Sequence, residues 1–445
     1  MNQKKTGLGF KLLFSTKTVF VCVMSALMGY VTLYATDYMQ LSPGIVGVAF
    51  MISKIFDGFT DFVAGAIIDR THTKLGQARP YDLAIIGYGV AVILIFSAPN
   101  VGETQSLIYL FVMYTIINSV FSTLITCNEA PYLSNAIDDT RKGVDIVSFS
   151  SVVSLIFSLI AAVATPQLIA TYGTTKEGWR IIALMLVVPF TIIGMLRFIF
   201  IKEIRAPKRN EGEKTNLKED LILLVKNKYA ILFSIILLIS NICSNISNMN
   251  YYCIYFMNDI GVLSIISLSV LLVIFIMMIM PVLSKKFGTV NVIKVFAIIG
   301  AAGYMIKMIS PSSVPLAFVS CMLSNLGFYP AWFIANSIMI DAMDYGEWKF
   351  GRRTQGTISC LTGIASKLGT AIGAGLIGVL LEMAHYDGSL DVQPGSAMSM
   401  IMALVTYIPA ILCIVMAVTA SFYDLDKKLP QIREELEVRR QANGN

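Results

Sequence analysis

Histidine is almost missing from this 445-residue chain: there are two, His72 and His385, and they lie far apart. Their scarcity removes histidine-based acid–base chemistry and the commonest metal ligand. The seven cysteines (Cys22, Cys127, Cys243, Cys253, Cys321, Cys360 and Cys413) all fall in apolar runs without a pairing pattern, so they read as small buried hydrophobes rather than a disulfide or metal framework. No Gly-rich phosphate loop and no nucleophile–base–acid set is present, which argues against an enzyme. Charge is scarce as well: 14% of residues are charged against 56% apolar, a balance that excludes a soluble globule and fits a polytopic membrane protein. The N-terminus, Met1 to Lys17, is basic but no small-residue cleavage site follows, so it is expected to be retained.

What the chain does have is long apolar runs. Stretches able to cross about 30 Å of hydrocarbon fall at 18–38, 44–68, 81–98, 106–134, 144–170, 179–200, 229–257, 262–284, 289–309, 314–340, 355–384 and 397–422. They predict an all-α protein of twelve transmembrane helices. Lysine and arginine concentrate in alternate loops, which places both termini in the cytoplasm of a cell-membrane protein and accounts for the +6 net charge without a nucleic-acid partner. The polar segment 202–228 divides the crossings six and six. The expected organisation is an N-terminal bundle (1–201), a cytoplasmic linker (202–228) with a short amphipathic helix near Leu217 to Val225, a C-terminal bundle (229–423) and a cytoplasmic tail (424–445). Two such halves imply a solute site between them at mid-membrane.

The most informative stretch runs from Lys54 to Thr71. At 100° per residue, Lys54, Asp57, Gly58, Asp61 and Gly65 share one narrow wedge of a helix, while Ile55, Phe56, Phe59, Phe62 and Val63 spread round the rest. An ionised carboxylate inside a membrane costs roughly 2.5–3.5 kcal/mol on insertion scales. Two of them about 6 Å apart repel by about 3 kcal/mol at an effective dielectric of 20. The pair must hold something positive: a proton, a hard cation bound through oxygen, or a lysine. Other crossings are also too polar to face lipid all round. Helix 4 carries Asn118, Thr123, Thr126, Asn128 and Glu129; helix 7 carries Asn241, Asn245, Asn248 and Tyr252; helix 11 carries Thr362, Ser366, Lys367 and Thr370. Single hydroxyls serve as interhelical glue, but Glu129, Lys367 and the asparagines of helix 7 are expected to line a cavity.

Three motifs, Asp57-Gly-Phe-Thr60-Asp61 with Gly65-Ala-Ile-Ile-Asp69-Arg70-Thr71 and Gly76-Gln-Ala-Arg79-Pro80-Tyr81, then Asn128-Glu129-Ala-Pro131-Tyr132, then Asp341-Ala-Met-Asp344-Tyr345-Gly346-Glu347, closely resemble the signatures of the glycoside-pentoside-hexuronide:cation symporters, the melibiose-carrier group of the major facilitator superfamily. The resemblance implies the major facilitator fold with two six-helix bundles. It implies a cation site at Asp57, Asp61, Thr60 and Thr126, with Na⁺ held by Asp57 and Asp61 if the coupling ion is sodium. Lys367 matches the helix 11 lysine beside that site, Glu129 a helix 4 position that is acidic in the melibiose carrier, and Trp332 an aromatic of the central cavity. Two departures stand out. The helix 1 acid and helix 5 arginine that hold sugar hydroxyls in the melibiose carrier are absent from the corresponding stretches here, Thr18-Val-Phe-Val21 and Phe149-Ser-Ser151-Val.

The resulting expectation is alternating-access symport of a sugar, glycoside or uronide with Na⁺ or H⁺, without a cofactor, by a monomer in the lipid bilayer; an uncoupled facilitator or a carrier of a lipid-like solute is the alternative. Lys367, Glu129 and Lys54 are assigned to coupling. Asn128, Asn245, Asn248, Tyr252, Trp332 and Asn336 are assigned to the small-molecule solute. Asp69, Arg70, Arg79, Asp341, Asp344 and Arg352 are assigned to gating at the cytoplasmic helix ends.

Overall fold

Long apolar helices account for nearly all of the computed structural model, which describes residues 7–71, 73–99, 101–137, 140–203, 226–351, 355–390 and 392–442. Among the described residues the crossings are α1 (Leu8–Tyr38), α2 (Pro43–Arg70), α3 (Ala84–Ile95, entered through a 3₁₀ turn at Arg79–Leu83), α4 (Glu103–Leu133), α5 (Thr140–Tyr172) and α6 (Lys176–Phe200). They continue as α7 (Lys228–Met257), α8 (Ser269–Phe287), α9 (Thr289–Met305), α10 (Val314–Phe333, prolonged by Ala335–Phe350), α11 (Gln355–Met383) and α12 (Gly395–Ser421). A polar helix, α13 (Leu425–Ala442), follows. These twelve helices match the expected count, and among the described residues nine of them, all but α2, α3 and α8, are by themselves long and apolar enough to cross a membrane. The expected amphipathic helix near Leu217 to Val225 lies outside the described residues.

Local chemistry sets the ends. Pro43 occupies the first turn of α2, where its missing N–H costs nothing. The Thr175 hydroxyl accepts from the Gly178 amide to cap α6. Gly351, with φ of 72°, closes the extension of α10 in the left-handed conformation that glycine adopts without strain.

The contacts divide the chain into two units. Unit 1 comprises residues 1–210 with two later segments, Cys253–Ser267 and Ile377–Met398; unit 2 comprises 211–252, 268–376 and 399–445. In unit 1, α1 packs on α5 and α6, and one apolar cluster gathers Phe14, Ile68, Tyr132, Ile146 and Ile201. The later segments join unit 1 at one end. There Glu382 accepts from the Ser42 hydroxyl and from the Gly44 amide at 2.7 Å, and Ser264 donates to the Val163 carbonyl at 2.6 Å. In unit 2, α9 lies so close to α10 that a Cβ on Gly300 would fall 2.3 Å from the Gly327 Cα. The main core of unit 2 runs from Tyr229 and Phe233 on α7 to Met416 on α12 and Leu436 on α13.

One helix start differs from the sequence expectation. α1 begins ten residues earlier than the apolar run, at Leu8, so Lys17 is enclosed in the helix with 4% exposure instead of standing in the N-terminal segment. Its charge is met inside the bundle, as described next.

Candidate functional site

α2 exposes Ile55, Phe56 and Val63 while Lys54, Asp57, Gly58, Thr60 and Asp61 are half-buried, the two-faced arrangement that the spacing predicts. Opposite them, α4 is widened by a π-bulge at Ile116–Ser122, a distortion frequent at functional sites. The bulge carries Asn118, whose Oδ1 receives the Lys54 ammonium at 2.6 Å. It also brings Thr123 round to Asp57: the Thr123 hydroxyl donates to Asp57 Oδ1 at 3.0 Å. The Thr60 hydroxyl donates to the Asp57 carbonyl at 3.0 Å, and the Cys127 thiol lies 3.9 Å from the Asp61 carbonyl. Thr126, one turn further on, is exposed. Two carboxylates with hydroxyls beside them form a hard-oxygen environment, suited to Na⁺ or a proton rather than a soft metal.

A second group of charges lies deeper in unit 1. Arg197 of α6 donates to Asp82 through Nε (2.8 Å to Oδ2) and Nη2 (2.5 Å to Oδ1), and through Nη1 to Glu129 Oε2 at 2.7 Å. Lys17 reaches the same Glu129 oxygen, the Ile125 carbonyl at 2.5 Å and Asn128 Oδ1 at 3.2 Å. Asn128 completes the group by donating to Asp82 Oδ1 at 2.8 Å. The guanidinium also lies against two rings, 4.4 Å from the Tyr132 centroid and 5.0 Å from Phe14. Glu129 and Asn128, expected in coupling and solute binding, are both members of this network, and Asn128 is fully buried. Lys17, Asp82 and Arg197 were not anticipated. The signal was present: an arginine three residues from the end of an apolar run requires a carboxylate partner.

Unit 2 contains a cavity of about 440 Å³ lined by Leu237, Asn241, Trp332, Ala335, Met339, Thr362, Gly363 and Ser366. Trp332 and, from α7, Asn241 are both among the lining residues. Asn245 bonds its own helix, donating to the Asn241 carbonyl at 2.9 Å. Asn248 accepts from the Asn250 amide at 2.9 Å where α7 breaks, and buried Tyr252 donates to the Pro311 carbonyl at 2.6 Å. Lys367 is half-buried on α11, one turn beyond Gly363. The side chain of Asn336 lies outside the described residues.

At the helix ends, Arg79 donates to the Phe198 carbonyl through Nε (2.9 Å) and Nη2 (2.7 Å), while Glu203 accepts from the Gln77, Ala78 and Arg79 amides. Asp341 and Asp344 receive Arg433 of α13 at 2.9 and 3.0 Å. Burial lifts the Asp341 carboxyl to about 6 against the pull of Arg433. The side chains of Asp69 and Arg70, and Arg352 altogether, lie outside the described residues.

A family model described as MFS/sugar transport protein matches residues 16–427. Among curated relatives, the isoprimeverose transporter of Lactiplantibacillus pentosus is 26% identical over 92% of this chain and 86% of its own length. The inner membrane symporter YicJ of Escherichia coli (strain K12) is 25% identical over 90% and 88%, and the glucuronide carrier protein homolog of the same organism 24% over 95% and 93%. Among solved structures, the nucleoside transporter NupG has a TM-score of 0.62 at 15% identity, covering 96% of this chain and 99% of that one. The D-xylose-proton symporter has a TM-score of 0.64 at 13% identity, covering 95% and 99%; at these identities the likeness concerns the fold.

Proposed function

Since the chain belongs to the MFS/sugar transport protein family, and is therefore a multi-pass membrane transporter and not an enzyme, we propose that it couples uptake of a sugar, glycoside or uronide to an inward flow of Na⁺ or H⁺. Both termini face the cytoplasm of a cell-membrane protein that works as a monomer. The observation that carries this reading is the half-buried carboxylate of Asp57, held by the Thr123 hydroxyl one turn from Asp61 on the face of α2 that also carries Lys54. A pair of membrane-embedded carboxylates is retained when a cation visits it. The cation is bound by Asp57 and Asp61 with Thr60 and Thr123 beside them, and Lys367 is a coupling residue. The solute meets the Trp332 and Asn241 cavity of unit 2. Each ligand raises the affinity of the other by the same factor.

The test is uptake into vesicles of a panel of neutral glycosides, pentosides and uronides, with and without an imposed Na⁺ or H⁺ gradient. Asp61→Asn is expected to abolish gradient-driven accumulation while retaining exchange of solute for solute. Undiminished accumulation by that variant refutes the scheme.

A further inference from the structure

Four ionisable side chains from four elements of unit 1 converge at one place: Lys17 from α1, Asp82 from the turn that opens α3, Glu129 from α4 and Arg197 from α6. Two are cations and two are carboxylates, so their formal charges cancel. The cluster is closed except at one point. Arg197 and Asp82 side chains are 0% exposed and Lys17 is 5% exposed, whereas Glu129 is 35% exposed. Both cations address the same Glu129 oxygen, Oε2, and among the described residues Oε1 has no partner.

Protonation of Glu129 would leave Lys17 and Arg197 with Asp82 alone, an uncompensated buried charge, which is far more costly than a buried neutral set. Among the described residues, Tyr132 on the same helix stacks on Arg197, and the Cys127 thiol beside Glu129 in sequence meets the Asp61 backbone carbonyl of α2.

We propose that Asp82 and Arg197 are positioning residues that fix Glu129 as a permanent anion with one oxygen open to a hydrogen-bond donor, which removes Glu129 from proton exchange and leaves H⁺ coupling to Asp57 and Asp61. The coupling clause rests on the symport reading above. Asp82 consumes one positive charge of the cluster, and the Arg197 fork sets the direction from which Glu129 is approached. A lysine could supply the charge but not the planar fork.

Infrared difference spectroscopy of the purified protein in liposomes reads protonated carboxyl groups directly, and Glu129→Gln identifies the band belonging to Glu129. The wild type is expected to show no protonated Glu129 in a titration from mildly basic to mildly acidic pH. Arg197→Gln is expected to show it, and Asp82→Asn/Arg197→Gln, neutral once more, to lose it again. A protonated Glu129 band in the wild type at neutral pH, or one that Arg197→Gln leaves unmoved, overturns the proposal. If Arg197→Gln does not fold, the double variant decides alone, since a Glu129 band there also overturns it. Absence of gradient-driven glycoside uptake by the wild type would sink the symport reading while leaving the infrared result standing.

Discussion

Arg197 and Asp82 are joined by two hydrogen bonds, at 2.8 and 2.5 Å, in a place where neither side chain has any exposed surface. Such a pair holds α3 and α6 in fixed register, and its stability depends on both members. Removing one partner of a buried pair costs about 3–5 kcal/mol, because a charge is stranded, whereas replacing both with apolar residues is often close to neutral. Arg197→Met and Asp82→Leu are each expected to lower the thermal midpoint of the detergent-solubilised protein sharply, and the double variant to recover most of the loss. Additive losses would show that the two side chains act independently.

Thr123 donates to Asp57, so Thr123→Val removes a hydrogen bond to a charged group, worth about 1.5–3 kcal/mol. The half-saturating concentration of the coupling cation is expected to change roughly tenfold or more. Half-saturation by solute in exchange at saturating cation should stay put. Cation titration of uptake rates checks the first, and counterflow checks the second.

The Asp341 carboxyl, raised to about 6 by burial, gives the Arg433 contact a pH dependence. A carboxyl whose pKa is higher folded than unfolded contributes stability that is complete below its ordinary value near 4 and is lost as pH rises through the folded value near 6. Wild-type protein is therefore expected to lose thermal stability relative to Asp341→Asn between pH 4 and pH 6 and to hold a constant difference above that. Melting curves of both proteins across this range provide the measurement, and parallel curves would contradict it.

Gly378 lies against α2: a Cβ there would fall 2.0 Å from the Pro43 carbonyl oxygen and 2.8 Å from the Gly47 Cα. Nearby, the Tyr386 hydroxyl donates to Asp37 at 2.8 Å and stands 2.9 Å from the Tyr255 hydroxyl. Gly378→Val is expected to force these contacts apart. A cysteine placed at Gln393, which bonds Tyr255 at 3.3 Å, should then react faster with a membrane-impermeant maleimide than in the parent protein.

Trp332 forms a wall of the unit 2 cavity and packs edge-on against Phe328 and Tyr329. Trp332→Ala is expected to weaken solute binding roughly tenfold or more, about 1.4 kcal/mol, with Trp332→Phe intermediate. Counterflow measured against solute concentration separates the three proteins.

The sequence made the helices and the two-faced character of α2 legible, because apolar length and a narrow wedge of charge need no knowledge of neighbours. It was less informative where geometry depends on a distortion. Thr123 and Thr126 are equally polar in the sequence, and it is Thr123, directly after the π-bulge at Ile116–Ser122, that reaches Asp57. Lys17 was mistaken for a loop charge because a lysine ends the apolar run; the partners that let it sit inside, Glu129 and Asn128, are more than a hundred residues away. The same distance hid Asp82 from Arg197. The contact of Asp341 and Asp344 to Arg433 depends on where α13 folds back, which its own polar pattern does not specify.

That folding back gives α13 leverage. Its Asp426 accepts from the Val290 amide at the head of α9, and its Arg433 grips the far end of α10. A short polar segment is thus strapped to two crossings at once. Whatever docks on, clips or recharges that strap acts on both helices at once.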